Sequence, residues 1–232
     1  MEIPNSTRSA IFNVRKVKNM EHYYSADPTA KSEERILTYE LNDNKFTFIS
    51  DNGVFSKNHV DFATDFLIRT IVDEIEGKVL DVGCGYGPIG ICMAKKESVK
   101  EVTMLDVNHR ALDLAKRNAE KNKVLDKVNI IESDGFSNVS EKYDVIITNP
   151  PIRAGKEVIY KMYSDAKNAL NDGGALYLVI NKKHGAPSTI RYLQELYGNC
   201  EVMDKKSGFN VLKCVKYSGE YRWIKKDFFK AF

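Results

Sequence analysis

The sequence predicts an α/β protein: a mostly parallel sheet covered by helices on both faces, with one antiparallel strand added at the end. Three observations carry this. From residue 78 onward, short β-rich runs alternate with helical stripes over short connections. The stretch "VLDVGCGYGPIG" (79–90) sets Gly83, Gly85, Gly87 and Gly90 at a strand-to-helix turn. The chain then closes with "CEVMDKKSGFNVLKCVKY" (200–217), two strands about a Lys-Lys-Ser-Gly turn, which forces one strand against the others.

Taken in order, residues 1–19 show neither strand alternation nor a helical stripe, and Met20 reads as a natural start. They are expected to be an extension outside the fold, with 20–232 as a single domain. Within it, 20–76 holds a hairpin and a helix and 77–218 the core. "ILTYEL" and "KFTFIS" flank "NDN", so 36–50 reads as a β-hairpin. Val60, Phe62, Ala63, Phe66, Leu67, Ile71 and Ile75 recur at helical spacing, with Ser56 or Asn58 available as cap.

Next come the strand "KVLDVG" (78–83), a helix begun by Pro88, the strand "EVTMLDV" (101–107) and the helix "HRALDLAKRNAEKN" (109–122). The strands "KVNIIES" (127–133) and "YDVIITN" (143–149) follow, then a helix over 155–170, a turn at "NDGG" (171–174), the strand "GALYLVIN" (174–181) and a helix over 187–198.

Composition bounds the partners. At 232 residues, with 43% hydrophobic and 29% charged residues, the chain has material for one substantial core. No apolar run approaches the ~20 residues that cross a bilayer, and no apolar stretch of a secretory signal opens the chain. Cys84, Cys92, Cys200 and Cys214 lack ligand or disulfide spacing, as expected of reduced cytoplasmic thiols. The four histidines share no ligand pattern, so no metal is expected. A net charge of +3 permits a nucleic-acid partner without demanding one.

The glycine loop admits two readings. From Gly85 it spells G-x-G-x-x-G, and Asp106 ends the next strand about 20 residues on, as in a dinucleotide site. Asp81 separates the readings. A carboxylate just ahead of the loop gains nothing beside a pyrophosphate, but suits the cationic methionine end of S-adenosylmethionine (SAM). Asp106, with Val107, would then meet the ribose, and Asp134, with Gly135, the adenine amine. SAM is favoured over NAD.

"NPPI" (149–152) ends the fourth strand of the core. Proline fixes φ and removes N–H donors, so the Asn149 side-chain oxygen and the Pro150 carbonyl dominate this strand end. Two acceptors suit an amine: they hold its N–H bonds and direct its lone pair at an activated methyl group, with no strong base required.

These residues resemble a family. "VLDVGCGYGPIG", Asp106 and "NPPI" are similar to class I SAM-dependent methyltransferases of the amino-directed Asn/Asp-Pro-Pro group. "DNGVFSKNHVDFATDFLI" (51–68) and "KKSGFNVLKC" (205–214) resemble the small-subunit rRNA guanine-N2 methyltransferases, the RsmC type, and their short single-domain relatives. The resemblance implies a seven-stranded sheet with the last strand antiparallel. It also implies that Asp81, Gly83, Gly85 and Gly87 surround the methionine half of SAM, that Asp106 and Asp134 hold ribose and adenine, and that Val54 and Phe55 cover the pocket. Asn149, Pro150, Pro151 and Ile152 would hold the target amine, and Asn149 would border SAM as well. The family often has an aromatic ring at the fourth motif position; with Ile152 there, Phe55 or Phe209 would have to stack on the base.

Arg153, Lys156, Lys182, Lys183, His184, Lys205 and Lys206 all fall near the carboxyl edge of the sheet, a cationic rim suited to RNA phosphates. The expected activity is methyl transfer to an exocyclic amine of RNA, guanine N2 of small-subunit rRNA. The alternatives are a protein glutamine amide methyltransferase, a non-catalytic SAM-binding assembly factor and a dehydrogenase.

Overall fold

The computed structural model describes residues 28–218, so the expected extension over 1–19 lies outside the described residues. In chain order these form β1 (Arg35–Leu41), β2 (Asn44–Ser50), α1 (Phe62–Ile71), β3 (Gly77–Val82), α2 (Pro88–Ala94), β4 (Val99–Asp106), α3 (His109–Lys121), β5 (Val128–Glu132), β6 (Tyr143–Thr148), α4 (Lys156–Ala169), β7 (Leu170–Asn181), α5 (Ala186–Tyr197), β8 (Glu201–Lys206) and β9 (Phe209–Val215). The seven-stranded sheet runs β5-β4-β3-β6-β7-β9-β8. Its pairings are parallel from β5 to β7, and β9 runs antiparallel between β7 and β8.

Period-two alternation splits the core between the two faces. Val79, Val145, Ile147, Tyr177 and Val179 pack on one side with α1, α2, α3 and the hairpin. Leu80, Val82, Ile146, Leu176, Leu178 and Ile180 pack on the other with α4 and α5. Asp81 falls in the first set by position, which turns its carboxyl beneath α2.

The β1–β2 hairpin forms as expected and makes its own two-stranded sheet. The second edge of β2 is covered by a helix. Asn118 Oδ1 accepts from Ile49 N–H (2.6 Å) and its Nδ2 donates to Ile49 O (2.9 Å). Asn122 does the same with Thr47, at 3.0 and 2.8 Å. Four residues of helix rise about 6 Å and two of strand about 6.6 Å, so two asparagines one turn apart can mimic a neighbouring strand. The pairing closes an edge that would otherwise recruit another chain, and it fixes the hairpin to α3.

Two local expectations are corrected. Neither Ser56 nor Asn58 caps α1: the cap is Asp61, whose Oδ1 accepts from Ala63 N–H (3.0 Å) and Thr64 N–H (3.2 Å). Ser56 instead bends the chain before the helix, at φ 57°, with its hydroxyl on His59 O. The segment 171–174 is not a free turn ahead of a strand but an irregularity inside β7. Pairing with β6 jumps from Tyr143↔Leu170 to Val145↔Ala175, while Gly173 N–H donates to Lys216 O (2.7 Å) and Lys216 N–H to Gly174 O (2.8 Å).

Candidate active site

The sheet changes winding direction between β3 and β6, and ligands of open α/β sheets bind at such a point. A cavity of about 490 Å³ opens there, at the carboxyl ends of the strands. Its lining includes Val54, Phe55, Gly83, Gly85, Asp106, Val107, Asp134, Gly135, Asn149, Pro150 and Pro151, all singled out from the sequence.

At the loop end the walls are bare backbone. Gly83 and Gly85 take φ of 73° and 58°, where a side chain is strained, and a Cβ on either would stand in open space. Gly135 behaves likewise at φ 56°. Asp106 closes the loop: Oδ2 accepts from Gly85 N–H (2.8 Å) and Oδ1 from Asn108 N–H (2.9 Å). Burial pushes its pKa upward against these bonds. Asp134 is exposed at the lip, beside Phe136 and the buried Ser133. The covering segment is tied to the start of α3, since Asn108 Nδ2 donates to Gly53 O (2.9 Å) and Arg110 to Asn52 O (2.6 Å). Val54 is buried beneath it and Phe55 is 49% exposed over the opening.

Asp81 does not line the cavity. It is fully buried under the loop, with Oδ2 accepting from Gly90 N–H at 2.9 Å and Oδ1 without a partner. Desolvation, against the Gly90 bond and with help from the Asp106 charge, pushes its pKa up to about 7. Gly87 also stands away from the lining; it starts α2 at φ 93°, where a Cβ would press on Ile91.

At the other end, Asn149 Nδ2 donates to Thr64 Oγ1 at 3.0 Å. That bond fixes the amide, and Oδ1 has no hydrogen bond among the described residues. Ala154 N–H occupies Pro151 O (2.8 Å), whereas Pro150 O has no hydrogen bond among the described residues. Both oxygens that the motif was expected to offer as acceptors thus carry no hydrogen bond among the described residues. Ile152 does not join them: it opens a short 3₁₀ turn and packs half-buried against the α4–α5 side of the core. Phe209 is likewise withdrawn, 5.5 Å from the Phe62 ring.

Arg153, Lys156, Lys182, Lys183, His184, Lys205 and Lys206 are exposed and form no ion pair with a carboxylate among the described residues. None lines the cavity. They follow β6 and β7 and end β8, strands that run the same way, so they share its edge of the sheet. Lys156 Nζ sits 4.9 Å from the Tyr160 ring.

Sequence reasoning missed several lining residues. Asp61, Thr64 and Tyr86 needed tertiary contacts to be found. Val158, Lys161, Met162 and Asp165 had a signal, since the i, i+3, i+4, i+7 spacing after "NPPI" puts them on one helix face. Lys161 and Asp165 pair at 2.6 Å. Tyr86 is buried with its hydroxyl unpartnered, a position that a ligand can complete.

A sheet with β9 reversed among parallel neighbours, and a glycine-floored cavity at its switch point, is the architecture of class I SAM-dependent methyltransferases, and this chain is one of them. The sequence model of the methyltransferase small domain matches residues 45–213, so the chain belongs to that family. YbxB, an uncharacterized protein of Bacillus subtilis strain 168, is 45% identical over 199 residues, covering 84% of this chain and 98% of that one. Ribosomal RNA small subunit methyltransferase C of Haemophilus influenzae strain 86-028NP is 36% identical over 169 residues, 71% of this chain and 50% of its own. A T. thermophilus 16S rRNA N2 methyltransferase (RsmC), solved with AdoMet and guanosine, superposes with a TM-score of 0.70 at 25% identity, covering 79% of this chain and 50% of that one. This chain thus spans about half the length of the ribosomal RNA methyltransferases that it matches.

The cavity fits SAM on its own features: bare glycines where a ligand can lie, an unpartnered buried carboxylate oxygen under the loop, and Asp106 at the next strand end. Among the described residues no group of three or more His, Cys, Asp or Glu could hold a metal ion, and no helix is long and apolar enough to cross a membrane.

Proposed function

We propose that this chain methylates an exocyclic amine of RNA, guanine N2 of small-subunit rRNA, in the cytoplasm. The observation that carries the reading is the free pair of acceptors, Asn149 Oδ1 and Pro150 O, in the same cavity as the bare glycine loop. SAM supplies a methyl group already activated on a sulfonium. Asn149 and Pro150 would each take one N–H of the amine, which favours a pyramidal nitrogen and leaves its lone pair free for the methyl carbon. As the new N–C bond forms the S–C bond breaks, and the nitrogen then loses one proton to solvent. Catalysis is positioning and electrostatics. In this reading Asp106 and Asp134 serve the ribose and adenine, Asp81 acts through its charge from beneath the loop, and Phe55 offers an exposed ring to the base.

The RNA assignment is supported by the exposed cationic rim and by the names of the ribosomal RNA methyltransferases to which this chain is similar. Four free cysteines fit a reducing compartment. The test is transfer from labelled SAM to small-subunit RNA made in vitro, followed by nucleoside mass spectrometry. N2-methylguanosine is the expected product; label confined to protein, or no transfer to RNA, would overturn the reading.

A further inference from the structure

We infer that Asp61 is a specificity-determining residue that reads the target base as guanine by accepting its N1–H; this rests on the guanine-N2 reading above. Asp61 lies in the same cavity wall as Asn149, and Thr64 links the two. Thr64 N–H bonds Asp61 Oδ1 at 3.2 Å, while Thr64 Oγ1 takes the Asn149 amide at 3.0 Å. The first turn of α1 therefore joins Asn149 and the carboxylate of Asp61 through one residue in a single cavity wall. Only Oδ1 is spent on the helix cap; Oδ2 has no hydrogen bond among the described residues. The Tyr86 hydroxyl, buried and unpartnered in the same lining, feels the Asp61 charge as a push against ionisation, second only to burial.

The chemistry of the bases makes this arrangement selective. On guanine the amine at C2 adjoins N1–H, a second donor on the same edge. On adenine and cytosine the ring nitrogen beside the amine is an acceptor, which a carboxylate repels. A glutamine amide offers a carbonyl there, repelled in the same way. Two acceptors for the amine and a third beside them describe the guanine edge alone among these substrates.

Asp61→Asn tests this without removing the cap, because asparagine caps as well as aspartate. Its oxygen stays on the Ala63 and Thr64 N–H groups, so its NH₂, a donor, turns to where Oδ2 stood. The probes are guanosine and 2-aminopurine riboside, which keeps the C2 amine but has an unprotonated N1. Binding to protein loaded with S-adenosylhomocysteine is followed by 2-aminopurine fluorescence and by guanosine competition. The wild type should prefer guanosine by about 10²-fold, within the discrimination of a well-formed polar contact. In the variant the preference should vanish or reverse, with S-adenosylhomocysteine affinity changed less than about threefold. A variant that binds guanosine with the wild-type preference overturns the role of Asp61 and leaves the guanine-N2 reading standing. A wild type that neither prefers guanosine nor methylates RNA guanine overturns both.

Discussion

At the glycine-loop end of the cavity the walls are bare backbone and Asp106, a carboxylate already bonded into the fold, whereas at the Asn149 end a strand end meets Asp61 and Thr64, side chains of a distant element. Gly83 and Gly85 are held by Leu105 O and Asp106, strand-end groups that the sheet register fixes. Asn149 is oriented by Thr64, 85 residues earlier in the chain. The difference teaches that binding the methyl donor is a property of the sheet itself. In the proposed reading, choosing the acceptor depends on how α1 docks over it.

That contrast can be broken deliberately. Gly85→Val should strike the donor end alone: it places a branched side chain in open cavity at φ 58°, a left-handed conformation that costs about 1–2 kcal/mol for such a residue. SAM affinity should fall about 10²-fold or more by calorimetry, while the thermal transition falls only by the few degrees that this strain costs, because beyond its chain neighbours no described protein atom lies within 4 Å of the added Cβ. A variant that binds SAM normally would mean that the donor lies elsewhere.

A smaller effect sharpens the role of Asp81. Its carboxyl is raised to about 7 by burial, so near neutrality the protein without ligand holds both the protonated and the ionised form, and a cationic ligand favours the ionised one. SAM affinity should therefore climb up to about tenfold per pH unit as pH rises toward 7, then level off, with proton uptake by the buffer in calorimetry. Stability of the unliganded protein runs the opposite way. The contribution of a raised carboxyl is full below the ordinary carboxylate range and is lost as pH rises through about 7. Asp81→Asn should flatten the affinity profile; an unchanged profile would reduce Asp81 to a support for Gly90.

The same contrast explains what could be read in the sequence. Glycines at a strand end, acids at successive strand ends and two prolines after an asparagine are local signals, because the sheet converts strand order directly into position. The hairpin was local too. The cap of α1 was misplaced because Ser56 and Asn58 are equally good caps on paper, and only the bend at Ser56 and the bonds of Asp61 decide. The family resemblance groups Ile152 with its motif, yet the 3₁₀ turn after Pro151 packs it against the core. Thr64 and Asp61 left no local trace, since their importance comes from which strand end α1 covers. The asparagine pair on α3 was likewise invisible until β2 was seen beside it.

The central claim is that Asn149, oriented by Thr64, grips the target amine and not the methyl donor. Asn149→Ala, assayed for RNA methyl transfer under saturating SAM alongside SAM binding by calorimetry, tests it most directly. The account predicts a loss of about 10³-fold in kcat, with SAM affinity within about threefold of the wild type. Turnover within tenfold of the wild type would contradict it.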